Sequence, residues 1–168
     1  PGIETTSGPL GCGLSQAAGM VYSLQYLGGN SERFVYCSLG DGELDEGNIW
    51  EAAMFAKKYN LANLIAIVDR NNIQIGGDTE NVMPLGDLAD KWRSFGWGAQ
   101  EIDGHDHLAI IQAIDKAKNS RQPSVIIAHT IPGRGVDFME YDYRWHGKSP
   151  NAEEAERALA QLSEGGGE

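Results

Sequence analysis

The stretch 34-FVYCSLGDGELDEGNIWEAAMFAKKYNLANLIAIVDRNN-72 carries two short apolar runs, each ending in small polar residues. Phe34–Leu39 and Leu64–Asp69 are rich in Val, Ile, Leu and aromatic residues, the composition of buried strands. Between them, Asn48–Asn60 is rich in Ala, Met and Glu and reads as a helix whose first half is apolar on nearly every side. Strand, helix, strand at this spacing predicts a βαβ unit, hence parallel strands. The strands are continuous apolar runs, which predicts that both sheet faces are covered.

The pattern extends in both directions. Upstream, Leu14–Leu27 has apolar residues at helical spacing. Downstream, a helix is expected over Leu85–Phe95, a strand near Trp97–Ile102, an amphipathic helix over His107–Lys118 and a strand over Ser124–Thr130. The amphipathic helix places Ile110, Ile111 and Ile114 on one face. Residues 131–150 read as a long loop and Ala152–Leu162 as a polar terminal helix. The expected class is α/β: three layers, with a mostly parallel sheet and helices on both faces. Residues 1–162 form one domain, read as truncated at its amino end, and 163–168 (SEGGGE) a disordered tail.

Composition narrows the function. A chain of 168 residues with 41% hydrophobic and 22% charged residues has the makings of a core. Its net charge of −11 argues against nucleic acid and anionic membrane as partners. No apolar run approaches the ~20 residues of a membrane span. Two cysteines, Cys12 and Cys37, make neither a disulfide framework nor a four-cysteine zinc site, and nothing resembles a signal peptide, so a cytoplasmic setting is expected. Cys37, inside a strand, is expected to pack as a small hydrophobe.

Ligands of open parallel sheets bind beyond the carboxyl ends of the strands. There the first strand supplies 40-GDGE-43 and the second 69-DRNN-72. Asp41 and Asn71 offer a carboxylate and an amide oxygen, hard donors suited to Mg²⁺ or Ca²⁺, and Ile73 can add a backbone carbonyl. Diphosphate oxygens and water would complete such a shell. The same residues are also common turn formers, and a lone GDG leaves both readings open.

The wider text resembles the transketolase family. GDG followed thirty residues after its aspartate by Asn, with an apolar strand between, is the thiamine diphosphate signature. The segments 40-GDGELDEGNIWEAAMFAKKYNLANLIAIVDRNNIQIGG-77, 5-TTSGPLGCGLSQAAGM-20 and 144-RWHGKSPN-151 match that family in order. The resemblance implies a thiamine diphosphate-binding fold. It also implies Asp41, Asn71 and the Ile73 carbonyl as ligands of Mg²⁺ or Ca²⁺. Gly8, Pro9, Leu10, Gly40, Gly42, Glu43, Asn71, Ile75 and His146 would lie along the cofactor, with His146 also catalytic and facing the sugar phosphate. Glu46 and Glu51 would lie in a subunit interface, although acids at a helix start are also ordinary solvated residues. Cys12 stands where many members have Gln.

The implied reaction is transfer of a two-carbon ketol unit between sugar phosphates. The family's pyrimidine-binding domain is not matched in these residues, so a partner subunit or domain carrying it is expected, in a dimer of such pairs, and the chain alone is expected to be inactive. Related thiamine enzymes (dihydroxyacetone synthase, 1-deoxyxylulose-5-phosphate synthase, 2-oxo acid dehydrogenase components) share the metal signature, while 42-GELDEGNIWEA-52 and 145-WHGKSPN-151 favour transketolase. A non-catalytic cofactor-binding subunit is a further reading. A different phosphate binder ranks last, for want of a GxxxxGK[ST] loop or a helix-opening GxGxxG. Outside these motifs, 103-DGHDH-107 reads as a turn with Asp106 capping the next helix. His129 is expected to pack at a strand end; for Arg134, Arg144 and Lys148 a meeting with a sugar phosphate is only the lesser reading.

Overall fold

A computed structural model describes residues 2–6, 8–28, 30 and 32–165, without the side chains of 164 and 165. Four strands, β1 (Val35–Gly40), β2 (Leu64–Arg70), β5 (Gly98–Asp103) and β6 (Ser124–His129), form one sheet in the order β1-β2-β6-β5. All three pairings are parallel, as the βαβ spacing requires. The register sets Gly40 beside Asp69, and both Arg70 and Asp103 beside His129. Every strand therefore ends on the same edge of the sheet.

Helices α1 (Cys12–Tyr26), α2 (Gly47–Lys58) and α4 (Leu88–Ser94) cover one face. In α2, Ile49, Ala52, Ala53 and Ala56 recur every three or four residues and are buried; the small alanines bring the helix close to the sheet. Met54 is exposed, so the apolar first half is not buried all round within this chain. Trp92 and Trp97 close the core beside α4 with ring centroids 4.9 Å apart. The Trp97 indole N–H donates to the Ala53 carbonyl at 3.0 Å, while Trp92 Nε1 is buried without a hydrogen-bond partner among the described residues.

Helix α5 (His107–Lys118) covers the opposite face, with Ala113 and Ala117 packed on Ile65 and Ile126. Asp106 caps it, accepting from the Leu108 and Ala109 N–H groups at 2.8 and 3.1 Å. Two details differ from what the sequence predicts. Ile111 is exposed, because the buried stripe runs through Ala113 and Ala117 with Ile110 and Ile114 at its margin. On the α5 side of β1, Tyr36 is 46% exposed and Ser38 is exposed too. The reason is topological: α5 links β5 to β6 and lies over β5, β6 and β2, so it does not reach β1 at the far edge.

Three short elements are not legible as periodic segments: the antiparallel hairpin β3 (Ile73–Gln74) and β4 (Gly77–Asp78), and the one-turn helix α3 (Thr79–Val82). Within the 131–150 loop, Tyr143–Trp145 forms a 3-10 turn. The terminal helix α6 (Ala152–Gly165) continues three residues into the expected tail; residues 166–168 lie outside the described residues. Cys37 is buried as expected, and burial, reinforced by the Glu43 charge, pushes its thiol up to about 11. No helix among the described residues is long and apolar enough to cross a membrane.

Candidate functional site

At the carboxyl edge, β1 runs straight into a 3-10 turn, Gly42–Asp45, whose N-cap is Asp41. The Asp41 backbone N–H still donates to the Asp69 carbonyl at 3.2 Å, so the ladder between β1 and β2 continues one residue past the strand. The Asp41 side chain is 1% exposed, and its two oxygens are used unequally. Among the described residues, Oδ1 accepts only the neighbouring Gly42 N–H, at 2.8 Å. Oδ2 accepts from Arg70 Nη1 at 2.8 Å, the Asn72 N–H at 2.8 Å and Thr79 Oγ1 at 3.4 Å.

The tip of β2 is shaped by its own side chains. Asn71 Oδ1 accepts the Ile73 N–H at 3.0 Å, an Asx turn, and its amide donates to Asp69 Oδ2 at 3.0 Å. Asp69 thereby fixes which end of the amide is the oxygen, and is itself held by the Thr130 hydroxyl. Asn72 takes a left-handed conformation (φ 64°), which Asn tolerates better than most residues, and so turns its N–H to Asp41. The structure thus brings the two tips together. Asp41 and Asn71 do act as turn formers, and the Asp41 Oδ1 atom and the Asn71 amide oxygen each keep a lone pair beyond that role.

This donor set, one carboxylate, one amide oxygen and a nearby backbone carbonyl, fits a hard divalent cation. Only one of the three is charged. No group of three or more His, Cys, Asp or Glu side chains suited to a metal occurs among the described residues, so an ion here would draw its remaining ligands from an anionic ligand and water. Gly42 faces the hairpin closely: a Cβ there would lie 2.9 Å from Gln74 Cβ.

The glycine-rich amino-terminal turn docks on the same edge. Glu43 joins them, accepting the Gly11 N–H through Oε1 at 2.8 Å and the Gly40 N–H through Oε2 at 3.1 Å. Asn48 adds a bond from its amide to the Gly11 carbonyl at 2.8 Å. Gly11 has φ +80° and its missing Cβ would sit 2.8 Å from Glu46 Cβ, so this close approach needs glycine. Gly8, Pro9 and Leu10 lie exposed on that turn, Leu10 at 61%. The Glu43 carboxylate therefore holds the turn to the strand. Replacing Glu43 with Ala removes two hydrogen bonds to a carboxylate that is only partly buried, each contributing about 1 kcal/mol once screening by water is allowed for. The expected outcome is a loss of about 2 kcal/mol in urea unfolding, with Glu43→Gln losing less.

The remaining expected residues are placed as follows. Ile73 is buried, and Ile75 is 81% exposed in the two-residue turn of the β3–β4 hairpin. His146 is exposed and follows the 3-10 turn that packs against β4, so it belongs to the same edge. Glu46 and Glu51 are exposed; Glu51 shares its helix face with Met54, Phe55 and Lys58. Arg144 and Lys148 are engaged by Asp142 and Glu154. Arg144 holds the Asp142 carboxyl below the usual range, and the Asn151 N–H, then Lys148, does the same for Glu154. His129 is not packed: its ring is half exposed and hydrogen-bonds Glu101 at 2.9 Å, because the strand has already left the core.

Arg70, Thr79 and Glu80 also belong to this site, and no motif in the sequence points to them. Arg70 Nη2 donates to Glu80 Oε1 at 2.5 Å, which makes a chain Asp41–Arg70–Glu80 across the edge. The segment 69-DRNN-72 reads as a strand end, and nothing in 78-DTEN-81 signals that it folds back beneath the tip of β1.

Residues 1–163 match the family described as transketolase, thiamine diphosphate binding domain. An apulose-4-phosphate transketolase subunit of Phocaeicola vulgatus is 41% identical over 165 residues, covering 98% of this chain and 58% of that protein. The 6-deoxy-6-sulfo-D-fructose transketolase subunit SqwG of a Clostridium species is 43% identical over 166 residues, 98% of this chain and 60% of that protein. The crystal structure of transketolase from Campylobacter jejuni superposes with a TM-score of 0.88 at 32% identity, covering 96% of this chain and 26% of that one. The chain thus spans about three fifths of the length of these two relatives and about a quarter of that crystal structure. On the match over residues 1–163, and with a parallel sheet of the corresponding architecture, the chain belongs to the transketolase family and comprises its thiamine diphosphate-binding domain.

Proposed function

We propose that this chain holds the diphosphate end of thiamine diphosphate through a divalent cation, and that it acts in ketol transfer together with a partner carrying the pyrimidine-binding domain. One observation carries this reading: the tips of β1 and β2 interlock, the Asn72 N–H meeting Asp41 at 2.8 Å, so that Asp41 and the Asn71–Ile73 turn border one edge. Asp41 Oδ1, Asn71 Oδ1 and the Ile73 carbonyl supply the protein ligands. With Mg²⁺ or Ca²⁺ held there, the rest of the shell would be left to diphosphate oxygens and water. When bound, the cofactor supplies the carbanion and electron sink that cleavage beside a ketone needs.

The chain's own residues then divide the remaining work. Gly40 and Gly42 let the diphosphate approach the backbone, while Gly8, Pro9, Leu10 and Ile75 flank it, the last two with exposed apolar side chains. His146 donates to a phosphate oxygen or to a reacting hydroxyl of the substrate. Glu46 and Glu51, with exposed Met54 and Phe55 on the same helix, lie in the interface with the partner. The substrate class is a ketose with an anionic end group, a reading supported by the names of the two relatives, which specify a sugar phosphate and a sulfosugar.

The complete protein and its partner, assayed separately and mixed, with thiamine diphosphate, Mg²⁺ and a ketose–aldose phosphate pair, test the proposal. Turnover is expected only in the mixture. Sustained turnover by either protein alone contradicts the division of the site between them.

A further inference from the structure

Asp41 is held by an arginine that the cation site does not itself require. Its Oδ2 atom is saturated by Arg70 Nη1, the Asn72 N–H and the Thr79 hydroxyl, which leaves Oδ1 as the oxygen with spare capacity. Arg70 is itself buried and spans two carboxylates, Asp41 at 2.8 Å and Glu80 at 2.5 Å. Glu80 is partly exposed and tied to α3 and the segment after it, since Oε1 also accepts the Leu85 N–H at 3.2 Å. A guanidinium is suited to this bridging because its planar fork reaches two acceptors at once, which a lysine ammonium cannot reproduce at the same positions.

Resting on the functional reading above, we propose that Arg70, anchored by Glu80, is a positioning residue that locks Asp41 into one-oxygen ligation and so favours six-coordinate Mg²⁺ over Ca²⁺. Mg²⁺ demands a near-octahedral shell, whereas Ca²⁺ accepts six to eight ligands and takes a carboxylate through both oxygens. With Oδ2 occupied, Asp41 cannot chelate. Released from Arg70, Oδ2 keeps only the neutral Asn72 N–H and Thr79 hydroxyl, so the carboxylate can turn and offer a second oxygen, which offsets part of the loss for Ca²⁺ and none of it for Mg²⁺.

Charge and positioning predict opposite signs. Arg70 is a positive charge beside the cation's carboxylate, so if charge alone mattered, its removal would tighten cation binding. If positioning dominates, removal weakens Mg²⁺ binding by about 10-fold or more, the usual cost of losing a group that orients a metal ligand.

The experiment uses the complete protein with its partner and saturating thiamine diphosphate, titrated separately with MgCl₂ and CaCl₂. The readouts are circular dichroism of the bound cofactor and the cation-dependent rise in Tm. Arg70→Met is expected to lose about 10-fold in Mg²⁺ affinity and markedly less in Ca²⁺ affinity. Arg70→Lys is expected to fall between it and the wild type. Glu80→Gln, which keeps the Asp41–Arg70 pair, is expected to shift the Mg²⁺-to-Ca²⁺ ratio a few-fold in the same direction and decides the matter if Arg70→Met does not fold.

Unchanged or tighter Mg²⁺ binding in these variants overturns the proposal, as does a parallel loss for both ions, which would mark Arg70 as a structural ion pair only. A wild type that shows no cation-dependent cofactor binding at all overturns the functional reading, and the proposal with it.

Discussion

Asp41→Asn is expected to weaken cation-dependent binding of thiamine diphosphate by about 100-fold or more. Losing a group that merely orients a metal ligand costs about 10–100-fold, and Asp41 is proposed to be a ligand itself. The substitution is nearly isosteric, yet an amide has one oxygen where the carboxylate has two. Arg70, Asn72 and Thr79 all donate to one side of the group, so the amide oxygen is drawn to them and the NH₂ is turned toward the cation. Asn is a better probe than Ala, because Asp41→Ala strips the buried Arg70 guanidinium of one of its two carboxylates and adds a folding defect. Isothermal titration with Mg²⁺ at fixed cofactor measures the effect, and urea unfolding of the metal-free protein shows whether the fold is kept. Affinity unchanged in the assembled protein would remove Asp41 from the site.

The second large effect is on stability. Trp92→Ala is expected to destabilise the fold by about 3–5 kcal/mol, the range for emptying an aromatic site in a core. Trp92 is fully buried, with Trp97 at 4.9 Å and Trp50 at 5.1 Å between ring centroids, so its removal opens a cavity that rigid neighbours cannot fill. The Trp92 Nε1 atom has no partner among the described residues, hence Trp92→Phe gives up ring volume but no hydrogen bond and is expected to cost well under half as much. Denaturant midpoints at constant slope check both. Because Trp97 reaches α2 through the Ala53 carbonyl, Trp92→Ala is also expected to raise the cation concentration needed for cofactor binding. The helix that follows the GDG turn would be less firmly seated.

What can be read from the sequence depends on the kind of signal. The strands and long helices are periodic segments with strong composition, and α5 begins and ends where the spacing sets it, at His107 and Lys118. The position of Asp41 and Asn71 at neighbouring tips follows from one rule, that strands joined by a single helix lie parallel and end together. Sheet order is not contained in any one segment. That β1 is an edge strand with Tyr36 and Ser38 uncovered depends on where α5 lies, which no periodicity encodes.

The side-chain network at the site is illegible in sequence for a related reason. The Arg70–Glu80 contact spans ten residues across a hairpin with two-residue strands, too short to show a period of two. The place of Glu43 beside GDG does not show which backbone groups its carboxylate holds. It accepts the Gly11 and Gly40 N–H groups, because the amino-terminal turn must be fastened to the strand edge and backbone donors there need an acceptor. His129 illustrates the limit of reading burial from a strand: one residue beyond the last covered position, the side chain reaches water and pairs with Glu101.

If a divalent cation bridges the tips of β1 and β2, anomalous diffraction from crystals of the complete protein with its partner, thiamine diphosphate and Mn²⁺ locates it. A single peak is then expected within about 2.0–2.6 Å of Asp41 Oδ1, the Asn71 side-chain oxygen and the Ile73 carbonyl, with Arg70 still bonded to the other Asp41 oxygen. A peak elsewhere on the sheet edge, or cofactor bound with no ion touching Asp41, would refute the bridging site.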